Sequence, residues 1–87
     1  MYYAYVIRNA AGVLYKGFTS DLEKRLQQHN AHNFDSYTSG RGPWTLVYKE
    51  EFSSEREARQ KEKFLKSGQG REFLKRILDD YPPQADG

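Results

Sequence analysis

Arg25 and His29 stand four residues apart in a stretch, Asp21 to Asn30, that also carries Leu22 and Leu26. At about 100° per residue these four share one side of a helix, so a guanidinium and an imidazole border an apolar stripe. Burying an arginine stem is ordinary, but aiming its head inward calls for an anion. Glu62 repeats the pattern, since Ala58, Glu62 and Leu65 share one side of a later periodic segment. A carboxylate there either pairs with a nearby Lys or Arg, or serves as a single ligand for Mg²⁺ or Mn²⁺. Tyr5 and Tyr15 form the third element. A strand tyrosine is most often a packing residue. Taken with Arg25, His29 and Glu62, the two phenols complete the parts that phosphodiester hydrolysis requires. Those parts are a cation for the non-bridging oxygens, an activated water, and help for the leaving oxygen. A free phenol has a pKa of about 10, so it accepts a proton only where a cation or metal stabilises the phenolate.

These side chains work together only if separate elements bring them to one water-accessible hollow. Tyr2 to Arg8 reads as a strand, Asn9 to Gly12 as a turn and Val13 to Phe18 as a second strand, making an opening hairpin. A loop with an odd number of residues puts Tyr5 and Tyr15 on the same face, with Gly12 at a φ > 0 position; a four-residue loop puts them on opposite faces. Ser20 followed by Glu23 reads as a capping box that starts a helix at Asp21. Ala31 to Pro43 is a long loop, and Trp44 to Glu50 is a third strand. Ser54 with Glu57 opens a second helix to about Ser67, where Gly68 and Gly70 are expected to stop it. A third helix is expected over 71–81, with Phe73, Leu74, Ile77 and Leu78 inward, before Pro82-Pro83. The order ββαβαα implies an α+β domain over 1–81, a three-stranded antiparallel sheet flanked by three helices, and a disordered tail over 82–87.

Composition narrows the class. A chain of 87 residues has room for one modest core, and without cysteine it has neither disulfides nor thiolate metal sites. Seven tyrosines, five phenylalanines and Trp44 supply the core instead. No apolar run approaches membrane-spanning length and the N-terminus lacks a secretory pattern, so a cytoplasmic protein with no membrane partner is expected. Net charge is only +2, but Glu55 to Arg76 holds eight Lys/Arg against four Glu. That local excess suits a polyanion, or a solvated helix face balanced by i,i+4 pairs.

The ordered series Tyr3-Ala4-Tyr5, Tyr15-Lys16-Gly17, Thr19 to Leu26, His29-Asn30, Gly42 to Tyr48 and the Glu57-to-Lys66 helix resembles the GIY-YIG endonuclease domain in its small single-domain form. The resemblance runs from Tyr2 to Leu78. It implies metal-dependent cleavage of phosphodiester bonds, expected here in DNA with Mg²⁺ or Mn²⁺ as cofactor, and branched or damaged DNA is a candidate form of that partner. Tyr5 and Tyr15 match the tyrosines of the two signature motifs, Arg25 the phosphate-contacting arginine and His29 the His/Tyr position one turn on. Glu62 matches the metal-binding glutamate. On this reading Tyr5, ahead of Tyr15, accepts the proton from water, while His29 relays it. Lys16, Arg41, Arg59 and Lys66 are candidate nucleic-acid contacts, and the protein is expected as a monomer or weak homodimer. Two positions depart from the family pattern: Lys16 stands where an aliphatic residue is usual, and no asparagine occurs between Lys63 and Leu78. The alternatives are a catalytically weak or inactive nucleic-acid-binding module that keeps the fold, and a protein-binding domain.

Overall fold

The computed structural model describes residues 1–31 and 42–78. Arg41, most of the loop before Pro43 and the expected tail lie outside them. The elements run β1 (Tyr2–Arg8), β2 (Leu14–Thr19), α1 (Leu22–Asn30), β3 (Thr45–Phe52), α2 (Glu55–Lys66) and α3 (Gly68–Ile77). This is the expected ββαβαα order, in an antiparallel sheet arranged β2-β1-β3.

Arg8 pairs with Leu14, leaving Asn9–Val13 as an odd-numbered hairpin loop. The Asn9 side chain organises it, its Oδ1 accepting from the backbone N–H groups of Ala11 and Val13 at 3.1 and 2.9 Å. Gly12 takes φ 87°, a left-handed conformation that glycine adopts without a Cβ penalty. In this register Tyr5 pairs with Gly17 and Ile7 with Tyr15, so both motif tyrosines project from one face.

The central strand β1 is buried on both faces. Ala4 and Val6 pack with Leu65, Leu74 and Leu78, under α2 and α3. Tyr5 and Ile7 pack with Trp44, flanked by Leu22 and Leu26 of α1. The domain is therefore three layers, with α1 on one face of the sheet and α2 and α3 on the other. A register shift opposite Val6/Ile7 lets β3 serve both cores, since Val47 and Tyr48 join the first cluster and Leu46 the second.

Several expected boundaries move for physical reasons. The cap of α1 is Asp21, one residue later than expected, its Oδ1 accepting from the Lys24 N–H at 3.1 Å. Thr19 Oγ1 accepts from the Asp21 N–H at 3.1 Å, so the approach to the helix is already fixed by a side chain. Ser54 caps α2 as expected, accepting from the Glu57 N–H at 3.2 Å. Gly68 and Gly70 do not mark a gap after α2; they form the first turn of α3. Ser67 both ends α2 and caps α3 by accepting from the Gly70 N–H at 3.1 Å. A Cβ on Gly70 would fall 2.0 Å from the Phe64 carbonyl oxygen, so glycine there permits the tight corner between the helices. α3 consequently starts three residues early, and Ile77 is 42% exposed, not inward.

Candidate active site

The face of the sheet under α1 holds a phenol–imidazole cluster. His29, in the last turn of α1, is 0% exposed, and its Nε2 shares a 2.8 Å hydrogen bond with the Tyr5 hydroxyl. The Tyr15 ring lies 4.8 Å from the His29 ring, centroid to centroid, tilted by 60°. Gly17 makes this arrangement possible, because a Cβ there would meet the Tyr5 hydroxyl oxygen at 2.7 Å. The glycine of the second motif thus gives the first motif's tyrosine room to reach over β2.

Tyr5 is only 1% exposed, so it is badly placed to take a proton from a substrate-bound water. Tyr15 is half-buried and borders a cavity of 280 Å³ with Leu14, Lys16 and Lys66. This burial does not favour the expected choice of Tyr5 over Tyr15 as the proton acceptor. Tyr5 holds His29, and Tyr15 is the phenol that meets solvent.

Trp44 backs this cluster, 3% exposed and in edge contact with Tyr15 at 6.5 Å between ring centroids. Asn30, the last residue of α1, fixes it twice: its Oδ1 accepts from the Trp44 N–H at 2.6 Å, and its Nδ2 donates to the Trp44 carbonyl at 3.3 Å. This clamp was not among the expected site residues. Nothing in local spacing announces a contact between positions so far apart in the chain.

Arg25 is half-buried one turn before His29 and lines a second hollow, of 320 Å³, with Thr19, Ser20, Asp21, Lys24 and Gln28. Along β2, Tyr15 and Thr19 are separated by about 13 Å of strand rise. The two hollows are distinct stations along one edge.

Glu62 lies on α2, the helix over the other face of the sheet. It is 9% exposed, as the stripe containing Ala58 and Leu65 implies, and its carboxylate pairs with Lys66 one turn on. The structure thus gathers Tyr5, Tyr15 and His29, keeps Arg25 on their helix, and sets Glu62 across β2 from them. The expectation that all five side chains line one hollow is not met: Arg25 and Tyr15 line different hollows, Glu62 lies on the helix over the opposite face, and anything touching both Tyr15 and Glu62 must wrap the β2 edge.

Among the described residues no group of three or more His, Cys, Asp or Glu gathers for a metal. Glu62 alone still suits Mg²⁺, which retains water and binds through one or two carboxylates plus phosphate oxygens. Lys66 is the competing cation, and its side chain is 57% exposed, free to swing off. Of the other expected contacts, Lys16 is half-buried on β2. Burial first, then the positive charges of Arg71 and Lys66, push its ammonium below the ordinary lysine value. Arg59 lies over the Phe18 ring at 5.5 Å and pairs with Glu55 at 3.3 Å, an exposed pair contributing little to stability.

The family model for the GIY-YIG catalytic domain matches residues 1–75. The chain belongs to the GIY-YIG family. A UPF0213 protein of Clostridium perfringens is 44% identical over 76% of this chain and 71% of its own length. Another, of Staphylococcus haemolyticus, is 38% identical over 87% of this chain and 93% of its own length. The solution NMR structure of a UPF0213 protein from Bacillus halodurans superposes with a TM-score of 0.54 at 32% identity, covering 92% of this chain and 88% of that one. Membership of the GIY-YIG family implies a nuclease-type function in general and a nucleic acid as substrate. No helix among the described residues is long and apolar enough to cross a membrane.

Proposed function

We propose that this domain is a divalent-metal-dependent endonuclease acting on DNA, with its substrate laid along and around the β2 edge. The observation that supports this most is the Tyr5–His29 hydrogen bond of 2.8 Å with the Tyr15 ring tilted against the same imidazole. A buried polar pair that holds one further phenol at a cavity mouth is an arrangement for positioning a proton acceptor. Arg25, from its separate hollow, would neutralise charge on a backbone phosphate. The spacing of the hollows favours an extended polyanion over a small phosphate ester.

In this reading Tyr15 accepts the proton of the attacking water and releases it to solvent at the cavity mouth, and His29, tied to Tyr5, orients the Tyr15 ring. Glu62 would hold Mg²⁺ or Mn²⁺, whose charge eases departure of the leaving oxygen. Lys66 must leave the carboxylate for that to happen. The test incubates the protein with labelled linear, nicked and branched DNA, with and without divalent metal. Metal-dependent cleavage that Glu62→Ala abolishes, with circular dichroism unchanged, supports the proposal; full activity in that variant overturns it. Binding to DNA without cleavage under any metal would favour the binding module, to which the Glu62–Lys66 pair and the absent asparagine are also compatible.

A further inference from the structure

Three cations from three elements act on one another at the outer edge of the sheet: Lys16 and Lys66 share a cavity, and the charges of Arg71 and Lys66 both bear on Lys16. Lys16 projects from β2, Lys66 ends α2, and Arg71 belongs to the first turns of α3. The Arg71 guanidinium lies back over Gly68, its Nη2 being 3.8 Å from where a Cβ on that glycine would sit. Lys16 and Lys66 line the same 280 Å³ cavity as Tyr15, although Lys16 and Tyr15 alternate along the strand.

The fold gains nothing from this arrangement. Like charges brought together repel, and of the three only Lys66 has a counter-ion among the described residues, Glu62. Among the described residues neither Lys16 nor Arg71 has an ion-pair partner. A solvated lysine would relieve the repulsion by swinging out, but Lys16 is half-buried at the cavity wall. What complements such a hollow is an anion with several oxygens.

We propose that Lys16, Lys66 and Arg71 form a phosphate subsite for the nucleic-acid backbone at the β2 edge, beside Tyr15. The assignment rests on the nucleic-acid reading above and adds the path of the strand. From the Arg25 hollow the backbone passes Tyr15, turns the β2 edge, and reaches the face on which Glu62 lies. Lys66 then moves from the Glu62 carboxylate to the incoming phosphate, which uncovers the carboxylate when substrate is present. Arg71, absent from the sequence-derived contacts, becomes a binding residue.

Binding is measured by fluorescence anisotropy with a labelled duplex in EDTA, so cleavage does not enter, across a series of salt concentrations. Each phosphate contact contributes about 0.9 to the slope of log K against log salt on duplex DNA. Lys16→Gln and Arg71→Gln should each flatten the slope by roughly that amount and weaken all sequences alike. Lys49→Gln, an exposed cation on the far edge strand, should leave it unchanged. An unchanged slope in both Lys16→Gln and Arg71→Gln overturns the subsite while leaving the nuclease reading intact if the wild type still cleaves. A wild type with no salt-dependent binding overturns both. Inorganic phosphate at matched ionic strength is the second arm, followed by amide NMR. Shifts at Lys16 and Arg71 with free phosphate, and no change in the DNA slope of the variants, assign the hollow to a free anion and reject the backbone.

Discussion

Replacing Tyr5 by Phe removes a single oxygen from the middle of the cluster. That oxygen sits 2.8 Å from His29 Nε2, and both residues are at most 1% exposed. Losing a buried hydrogen bond costs about 0.5–1.5 kcal/mol. In a domain of this size each kcal/mol lowers Tm by roughly 4–8 °C, so Tyr5→Phe should melt roughly 2–12 °C below the wild type. His29→Leu removes the same hydrogen bond from the other side, with a packing change added. The double variant loses that bond only once, so its loss should be smaller than the sum of the single losses by about 0.5–1.5 kcal/mol. Urea denaturation of the four proteins measures this coupling directly. An unperturbed Tyr5→Phe, or single losses that simply add, would refute the claim that this hydrogen bond holds the imidazole in place.

Gly17→Ala should destabilise by about 1–3 kcal/mol in thermal melts, because the new methyl lands 2.7 Å from the Tyr5 hydroxyl and must push the ring off His29. Asn30→Ala removes both hydrogen bonds to the Trp44 backbone; since Trp44 is the single tryptophan, its emission should shift to the red as the indole loosens from its buried site. Lys16→Met should raise stability at neutral pH. A lysine whose folded pKa is depressed contributes most above its unfolded pKa and opposes folding below it, while charged. The gain is on the order of 0.5 kcal/mol or less once solvent screening is allowed for, and only the part due to the Arg71 and Lys66 charges should shrink in high salt.

Much of the fold was legible because local chemistry and tertiary packing agree. The alternation of Tyr2 to Arg8 gives a strand that packs on both faces, and Ser54 with Glu57 caps α2 as its spacing requires. The disagreements share a cause in contacts between distant segments. Gly68 and Gly70 read locally as breakers, yet they lie inside α3, and at Gly70 the corner after Phe64 has no room for a side chain. The hairpin register was open until Asn9 organised an odd loop and brought Tyr5 and Tyr15 to one face. Helical spacing correctly marked His29 and Glu62 as inward. It did not show that their helices cover opposite faces of the sheet, since layer assignment depends on how β1 is shared. Nor did it show that Tyr5, and not Tyr15, is the buried phenol.

In the proposed mechanism Tyr15 and Glu62, from opposite sides of the β2 edge, act on one phosphodiester. Single-turnover cleavage of one DNA substrate by Tyr15→Phe, Glu62→Gln and the double variant tests it. Groups serving one transition state are strongly non-additive, so each single change should cost on the order of 10²-fold or more and the double little beyond the worse single. Losses that multiply, or cleavage that survives either change, would contradict it.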